Sequence, residues 1–473
     1  MAFSYRMWID GHWVSEGNPT PVKNPFNGDI LGHLPNATPE MVTRAIQSAS
    51  EARSLMAELP IYQRAEILEN TAHYLQQHRE AFIKRIALEA GKPWKWSAVE
   101  VNRAVENLKF AAEACKSLHG ETVPLDASRG SEGRMGFWIR VPMGVVAAIS
   151  PFNFPLNLVI HKVAPAIAAG NTAILKPASN TPGPAQMLVE ALLESGLPPT
   201  AIQLVYGGGS TVGMQLVTDE RIAKITFTGS PAVGRIITKN AGLKKLTLEL
   251  GSNSGTIVDA SADLDWAIQR NIMGSFAYSG QVCISVQRIY VHEQIVDVFT
   301  EKFVAATRQL RLGDPLDPQT DVGPMISEIE AQRVMDWVTE AQQNGARVLT
   351  GGNRKGSLLA PTVLTQVNSE MKVVCQEVFG PVVSITPIQT FEEGIEQINN
   401  SIFGLQAGVF TRDLPHTLMA IKKIQVGGVM INDVPTYRVD HMPYGGVKES
   451  GIGREGARFA IEEMTNIKMV MLK

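Results

Sequence analysis

The chain has 473 residues, 44% of them hydrophobic and 19% charged, with a formal charge of -3 and a pI near 6.3. That length exceeds one ordinary core and predicts two large lobes. The balance of charge leaves no basic field to hold nucleic acid or an anionic membrane, and the most apolar run, 141–149, is far too short to span a bilayer. Three cysteines, Cys115, Cys283 and Cys375, are too few for a disulfide framework. The first ten residues show no charged-then-apolar secretory pattern. Reduced thiols and a cytoplasmic location are the expectation.

Taken in chain order, residues 39–58 space their apolar positions at three and four, with Thr38 placed to cap a helix. The pattern repeats over 61–90 and 97–118, broken by Gly91-Lys92-Pro93. Residues 120–136 are polar and turn-rich, and 137–141 reads as a strand. From 143 the rhythm becomes strand, loop, helix. Strands are expected at 144–150, 172–178, 201–207, 224–230 and 245–251, with a helix from the PFNFP loop to 169 and others at 182–195, 209–218 and 231–241. That alternation implies a doubly wound parallel sheet, whose ligands bind at the carboxyl ends of the strands. The loops PFNFP, KPAS and FTGS fall at those ends. A second α/β series follows 251: helix 263–279, strand 286–292, helix 293–309, and strand-like runs at 373–385, 407–410 and 428–432. The fold class expected is therefore α/β, with two linked doubly wound lobes and a boundary near 250.

Several residues could carry chemistry. Cys283 lies between a helix and a strand, beside Gly280, Gln281 and Ser285. A thiol is an intrinsically strong nucleophile even when only a few per cent is ionised; the bland alternative is a buried, inert cysteine. Cys115, on an amphipathic helix, and Cys375 read as structural. Glu249 sits between Leu248 and Leu250 at a strand end. Apolar surroundings raise a carboxyl pKa and suit it to take a proton from water, although a salt-bridged strand residue would look the same. Asn153 lies in a loop stiffened by prolines on both sides, where it is either an oxyanion donor or a turn asparagine. Lys176 ends a strand, and Ser230 opens a helix whose N-terminus could bind phosphate. Neither 227–234 nor 207–210 is a glycine fingerprint or a Walker loop. No histidine or cysteine spacing points to a metal.

Together these motifs resemble the aldehyde dehydrogenase superfamily of the hydrolytic, non-acylating type. PFNFP (151–155), KPAS (176–179), FTGSPAVG (227–234), ELGSNSG (249–255), GQVC (280–283), EVFGPV (377–382) and PYGGVKESGIGREG (443–456) occur in the family's order. The resemblance implies a Rossmann-like NAD(P)-binding domain (1–119 and 143–249), a catalytic domain (250–440) and a small β oligomerisation element (120–142 and 457–473). The strand at 464–472 would pair with a neighbouring subunit in a homodimer or homotetramer. Cys283 would be the nucleophile, Glu249 the general base and Asn153 the oxyanion donor. Ile149, Ser150, Pro151, Phe152, Lys176, Ser179, Gly229, Ser230, Gly251, Glu377 and Phe379 would hold the cofactor, and Glu455 would relay protons. The reaction implied is oxidation of an aldehyde to a free acid by way of a thioester.

Two departures from the family pattern bear on specificity. Ser179 replaces a glutamate common in NAD-preferring relatives, so NADP should be tolerated or preferred. Arg103, His161, Arg438 and Tyr444 map near the substrate tunnel, with Tyr437 and Phe152 as further aromatic walls. Basic groups there would suit a small polar or anionic aldehyde: a semialdehyde, or a phospho-, phosphono- or sulfo-aldehyde. A neutral hydroxyaldehyde resembling lactaldehyde is the alternative. Acyl transfer to coenzyme A is disfavoured by Glu249, and an inactive binding protein of this fold by the presence of all three catalytic residues.

Overall fold

The structure is a computed structural model that describes residues 3–473. Its first sheet has eight strands, and five central parallel ones set the site: Ile202–Leu204, Thr172–Lys176, Val145–Ile149, Ile222–Thr228 and Lys245–Glu249. Val145–Ile149 and Thr172–Lys176 are buried at every position, which explains why they read as continuous apolar runs rather than alternating ones. The first strand of this series lies beside the fourth, so the winding reverses between Ile149 and Thr228. A crevice opens at such a reversal.

The second sheet has seven strands, in the order Arg347–Thr350, Thr362–Thr365, Val382–Ile388, Arg288–His292, Gly255–Val258, Gln406–Phe410 and Gly428–Ile431. All its pairings are parallel except the first. A third sheet of three strands joins Thr465–Leu472, Met135–Pro142 and Glu121–Val123. Two doubly wound lobes therefore carry a small β element. The last strand pairs along its whole length with Met135–Pro142 of its own chain, so one of its edges is used internally. Helix Ala457–Glu463, by contrast, buries Ala457, Ala460 and Ile461.

Helix boundaries differ from the periodic reading where the chain turns locally. The 39–58 stretch is two helices meeting at Ala52, and 61–90 is two meeting at His78. Thr38 caps as expected, its hydroxyl accepting from the Met41 N–H. The 373–385 run is not one strand. Lys372–Cys375 forms a helical turn and the strand is Val382–Ile388. Gly380-Pro381 separates them, because proline lacks the N–H that a central ladder requires. The hairpins of the first 36 residues were not legible, since Met7–Ile9 and His12–Val14 are too short to show a period and Asn18–Lys23 is mostly exposed. Among the described residues no helix is long and apolar enough to cross a membrane.

Candidate active site

At the sheet reversal lies a cleft of ≈ 900 Å³. One wall is built from the ends of parallel strands and the loops that follow them: Ile149 with Ser150, Pro151, Phe152 and Asn153 at the first, Lys176 at the second, Gly229 and Ser230 after the fourth, and Gly251 after the fifth. The second lobe contributes Cys283, Glu377 and Phe379. The Phe152 and Phe379 rings meet edge-on at 5.8 Å.

These walls fit a dinucleotide. The Ser150 hydroxyl is buried without a partner. Lys176 has no carboxylate within ion-pair distance among the described residues, and burial lowers its amine to about 8. Helix Pro231–Asn240 points its N-terminus at the cleft, where Ser230 Oγ accepts from Val233 N–H and keeps its own hydrogen to donate. Glu377 Oε1 accepts from the Ser252 N–H at 3.0 Å, and burial raises its carboxyl to about 7.

Ser179 does not line the cleft; its neighbours Ala178 and Asn180 do. Sequence reasoning missed the turn at Gly209–Gly213, which lines the cleft with Gly209, Ser210 and Gly213. Gly208-Gly209-Ser210 was noticed only as a failed Walker loop. Its small residues after a strand were the available signal. Gln281, noted only as a neighbour of Cys283 in GQVC, also lines the cleft, as do Met325 and Arg333, which nothing local in the sequence marked.

The nucleophile loop is strained. Tyr278 and Ser279 adopt left-handed backbone (φ 49° and 55°), as does Phe379 opposite (φ 49°). The strain is held by bonds from Tyr278 Oη to the Ala90 carbonyl (2.8 Å) and from Ser279 Oγ to the Gly323 carbonyl (2.7 Å). Gly280 (φ +67°) must be glycine, because a Cβ there would stand 2.1 Å from the Gly380 carbonyl oxygen. That close approach joins the GQVC loop to the EVFGPV loop.

Asn153 Nδ2 donates to the Gln281 carbonyl at 3.0 Å, which sets the amide beside the nucleophile loop and leaves its second hydrogen free. Cys283 Sγ lies 3.1 Å from Tyr444 Oη. Burial pushes the thiol up to about 12; the Tyr444 hydrogen bond and the Arg438 charge oppose that, while Glu377 and Glu249 reinforce it.

Glu249 is buried, and neither carboxyl oxygen has a protein partner. Desolvation first, then the Glu455 charge, raise its carboxyl well above the ordinary range. The 443–456 segment brings these groups together. It pairs with the end of the Glu249 strand through Gly451 and Ile452. Gly445 (φ +157°) lies so close that a Cβ would meet Glu249 Oε1 at 2.9 Å.

Behind Glu249 is a largely buried ionic network, open to solvent at Arg103. Glu455 bonds Lys162 Nζ at 2.8 Å and Arg438 Nη2 at 3.0 Å, and Lys162 reaches Thr228 Oγ1 at 2.6 Å. Burial alone would raise the Glu455 carboxyl, but Lys162, His161 and Arg438 hold it below the usual range. Asp440 accepts from Arg103 in a fork (3.0 and 2.7 Å), from Asn157 (3.0 Å) and from His161 Nε2 (2.8 Å). Those partners overcome burial and keep it ionised. His161 Nε2 lies between Asp440 Oδ1 (2.8 Å) and Arg438 Nη2 (3.0 Å), and desolvation followed by the Arg438 charge lowers the ring's pKa. Arg103 is therefore matched by Asp440 and is not a free cation. His161, Tyr444, Glu455 and the Arg438 side chain are buried behind the cleft rather than on its wall, and Tyr437 is exposed.

A cofactor-sized crevice ends at a cysteine flanked by an amide donor and a buried, unpartnered carboxyl, as in enzymes that oxidise aldehydes through a thioester. Residues 13–470 match the aldehyde dehydrogenase family, and the chain belongs to that family as an aldehyde-oxidising oxidoreductase. It is 46% identical to the 3-sulfolactaldehyde dehydrogenase of Priestia aryabhattai, over 99% of this chain and 98% of that one. Aldehyde dehydrogenase 21 of Physcomitrella patens, solved with its reaction product succinate, superposes with a TM-score of 0.97 at 40% identity, over 100% of this chain and 99% of that one. The glyceraldehyde-3-phosphate dehydrogenase GapN of Methanocaldococcus jannaschii, solved with NADP, gives 0.94 at 40% identity, over 97% of this chain and 100% of that one.

Proposed function

We propose that this enzyme oxidises a small polar or anionic aldehyde to its carboxylic acid through a thioester on Cys283, with NAD or NADP in the cleft. What supports the reading is that Cys283 and Asn153 line one cleft, with Asn153 bonded to the Gln281 carbonyl of the Cys283 loop, and that the charge of the buried Glu249 acts on the thiol. A nicotinamide bound there supplies the hydride acceptor. Lys176, Ser150, Ser230, Glu377 and Phe379 are the groups that would hold the dinucleotide.

The Cys283 thiolate bonds to the carbonyl carbon. The free Asn153 N–H and the Cys283 backbone N–H face the oxygen on which charge develops. Loss of hydride from that carbon leaves the thioester. Glu249 then takes a proton from water, hydroxide adds to the thioester carbonyl, and the sulfur leaves as thiolate. The proton taken up by Glu249 would leave by way of Glu455, whose charge acts on Glu249 and whose carboxylate is bonded to Lys162. Replacing Cys283 by Ala should reduce aldehyde oxidation at least about 10⁴-fold; substantial turnover by that variant would overturn the reading.

The cofactor and substrate classes have separate supports. No carboxylate from the first lobe lines the cleft, so nothing there repels a 2′-phosphate, which favours tolerance of NADP. Behind the nucleophile, the cations Arg103, Lys162 and Arg438 outnumber the ionised Asp440 and Glu455 while the Glu249 carboxyl is pushed toward neutrality. A surplus of positive charge favours an anionic aldehyde, and sulfolactaldehyde, succinate and glyceraldehyde 3-phosphate, named for the relatives, are all anionic. The engagement of Arg103 by Asp440 favours the second reading, a neutral hydroxyaldehyde. A panel of carboxylated, phosphonated, sulfonated and neutral aldehydes, run with both cofactors, separates the two. Higher kcat/KM for the neutral members would reject the anionic class.

A homo-oligomer is supported by the edge position of Thr465–Leu472 and by its exposed Ile467 (62%) and Met471 (55%). Light scattering that returns a monomer mass would reject it.

A further inference from the structure

We infer that Tyr444 is a further catalytic residue whose hydroxyl donates a hydrogen bond to the Cys283 thiolate, with Arg438 stacked on its ring to favour that anion. The inference rests on Cys283 as nucleophile. It adds a group that touches the reacting atom on the side away from the cofactor cleft.

The geometry is specific. Tyr444 is 2% exposed, and its hydroxyl has no hydrogen-bond partner other than Cys283 Sγ, at 3.1 Å, among the described residues. Its backbone is fixed by two bonds to Glu455, from Tyr444 N–H to the Glu455 carbonyl (3.0 Å) and back (2.7 Å). The Arg438 guanidinium carbon stands 3.6 Å above the ring centroid. A phenol and a thiol can each donate, but once the sulfur is ionised only the phenol has a proton to give. A charge-assisted bond of this kind is roughly twice as strong as a neutral one.

The step balances simply. The S–H bond breaks and its proton leaves to bulk water through the cleft onto which Cys283 opens. The electron pair stays on sulfur, and the phenol O–H remains intact while donating to it. Carbon–sulfur bond formation removes that charge, and thioester hydrolysis restores it, so the same donor assists both attack and release. Four other charged or titratable groups bear on the thiol. Arg438 favours the thiolate, Glu377 and Glu249 oppose it, and Glu455 reaches it only through Arg438. The thiol is otherwise pushed up by burial, which is why a donor at 3.1 Å matters here.

The test is the pH dependence of iodoacetamide alkylation at Cys283, read on the Cys283 peptide by mass spectrometry so that Cys115 and Cys375 do not contribute. Alkylation needs neither aldehyde nor turnover, so its outcome is independent of whether the proposed oxidation is correct. Tyr444→Phe keeps the ring over Arg438 and removes one oxygen. Its Cys283 should alkylate about tenfold more slowly at neutral pH, with the titration moved about one unit upward. In turnover, kcat should fall more than KM rises. An alkylation profile unchanged from the wild type would overturn the assignment, and so would an increased rate. Circular dichroism and melting of the variant distinguish a folding defect. Should Tyr444→Phe unfold, the same profile with Arg438→Lys, which keeps the positive charge, must lie near the wild type and that with Arg438→Gln must shift upward.

Discussion

The two sides of Cys283 are built in opposite ways. On the cleft side the walls are mostly backbone, glycine and apolar side chains, from strand-end loops and from the helices Met214–Thr218 and Pro231–Asn240, with Lys176, Glu330, Arg333 and Glu377 as scattered charges. On the far side, Arg103, His161, Lys162, Arg438, Asp440 and Glu455 form a continuous ionic network around a carboxyl with no partner. The contrast suits the two tasks proposed: a dinucleotide would be held by shape, amide donors and a helix terminus, whereas proton transfer would draw on titratable groups largely withdrawn from water, where charges act strongly on each other.

The largest effect expected from breaking this division, after loss of the nucleophile itself, is at Glu249. Glu249→Gln should lower kcat by about 10²–10⁴-fold and leave an acyl-enzyme visible by intact mass. Because burial raises the Glu249 carboxyl, its basic form appears only as pH climbs above the ordinary carboxylate range. The wild-type rate should therefore rise with pH, and the variant should lose that limb. A variant with wild-type steady-state rate would remove the base assignment. Next in size is Asn153→Ala, expected to cost about 10²–10³ in kcat with cofactor affinity little changed. An unaffected kcat would place the oxyanion donor elsewhere.

The smallest effect on chemistry, but a measurable one on stability, is expected from Arg103→Ala. Removing the fork leaves Asp440 buried on His161 and Asn157, at a cost of about 3 kcal/mol near neutral pH. The Asp440 carboxyl is held below its ordinary value. Its contribution is therefore present above the unfolded-state pKa and is lost as pH falls through the folded one. Urea unfolding at pH 7 and in acid should show the gap between wild type and variant narrowing on acidification. A gap independent of pH would mean that Arg103 acts by packing rather than by charge.

Legibility followed the same division. The strand-end loops PFNFP, KPAS and FTGS were readable because doubly wound sheets place such loops at one edge, and they do line the cleft. Ser179 itself stands between Ala178 and Asn180, which line the cleft; which way a loop side chain faces is not periodic, so the sequence could place the loop but not each of its side chains. Arg103 and His161 were legible as basic residues on helices, but not as partners of Asp440, which is 337 and 279 residues away. The edge of Thr465–Leu472 that pairs with Met135–Pro142 was likewise invisible, because strand pattern gives a face and not a partner.

What the sequence determined by itself was the class: alternating strands and helices, glycines at forced turns, and the residue types that the chemistry needs in a set order. Those are properties of contiguous segments, fixed by backbone sterics and hydrophobic period. Which side chains share a proton, which charges are cancelled and which is left over were decided only by the tertiary structure. Ionisation depends on neighbours and burial at distances of a few ångströms, and folding brings together for that purpose residues that the chain keeps hundreds of positions apart.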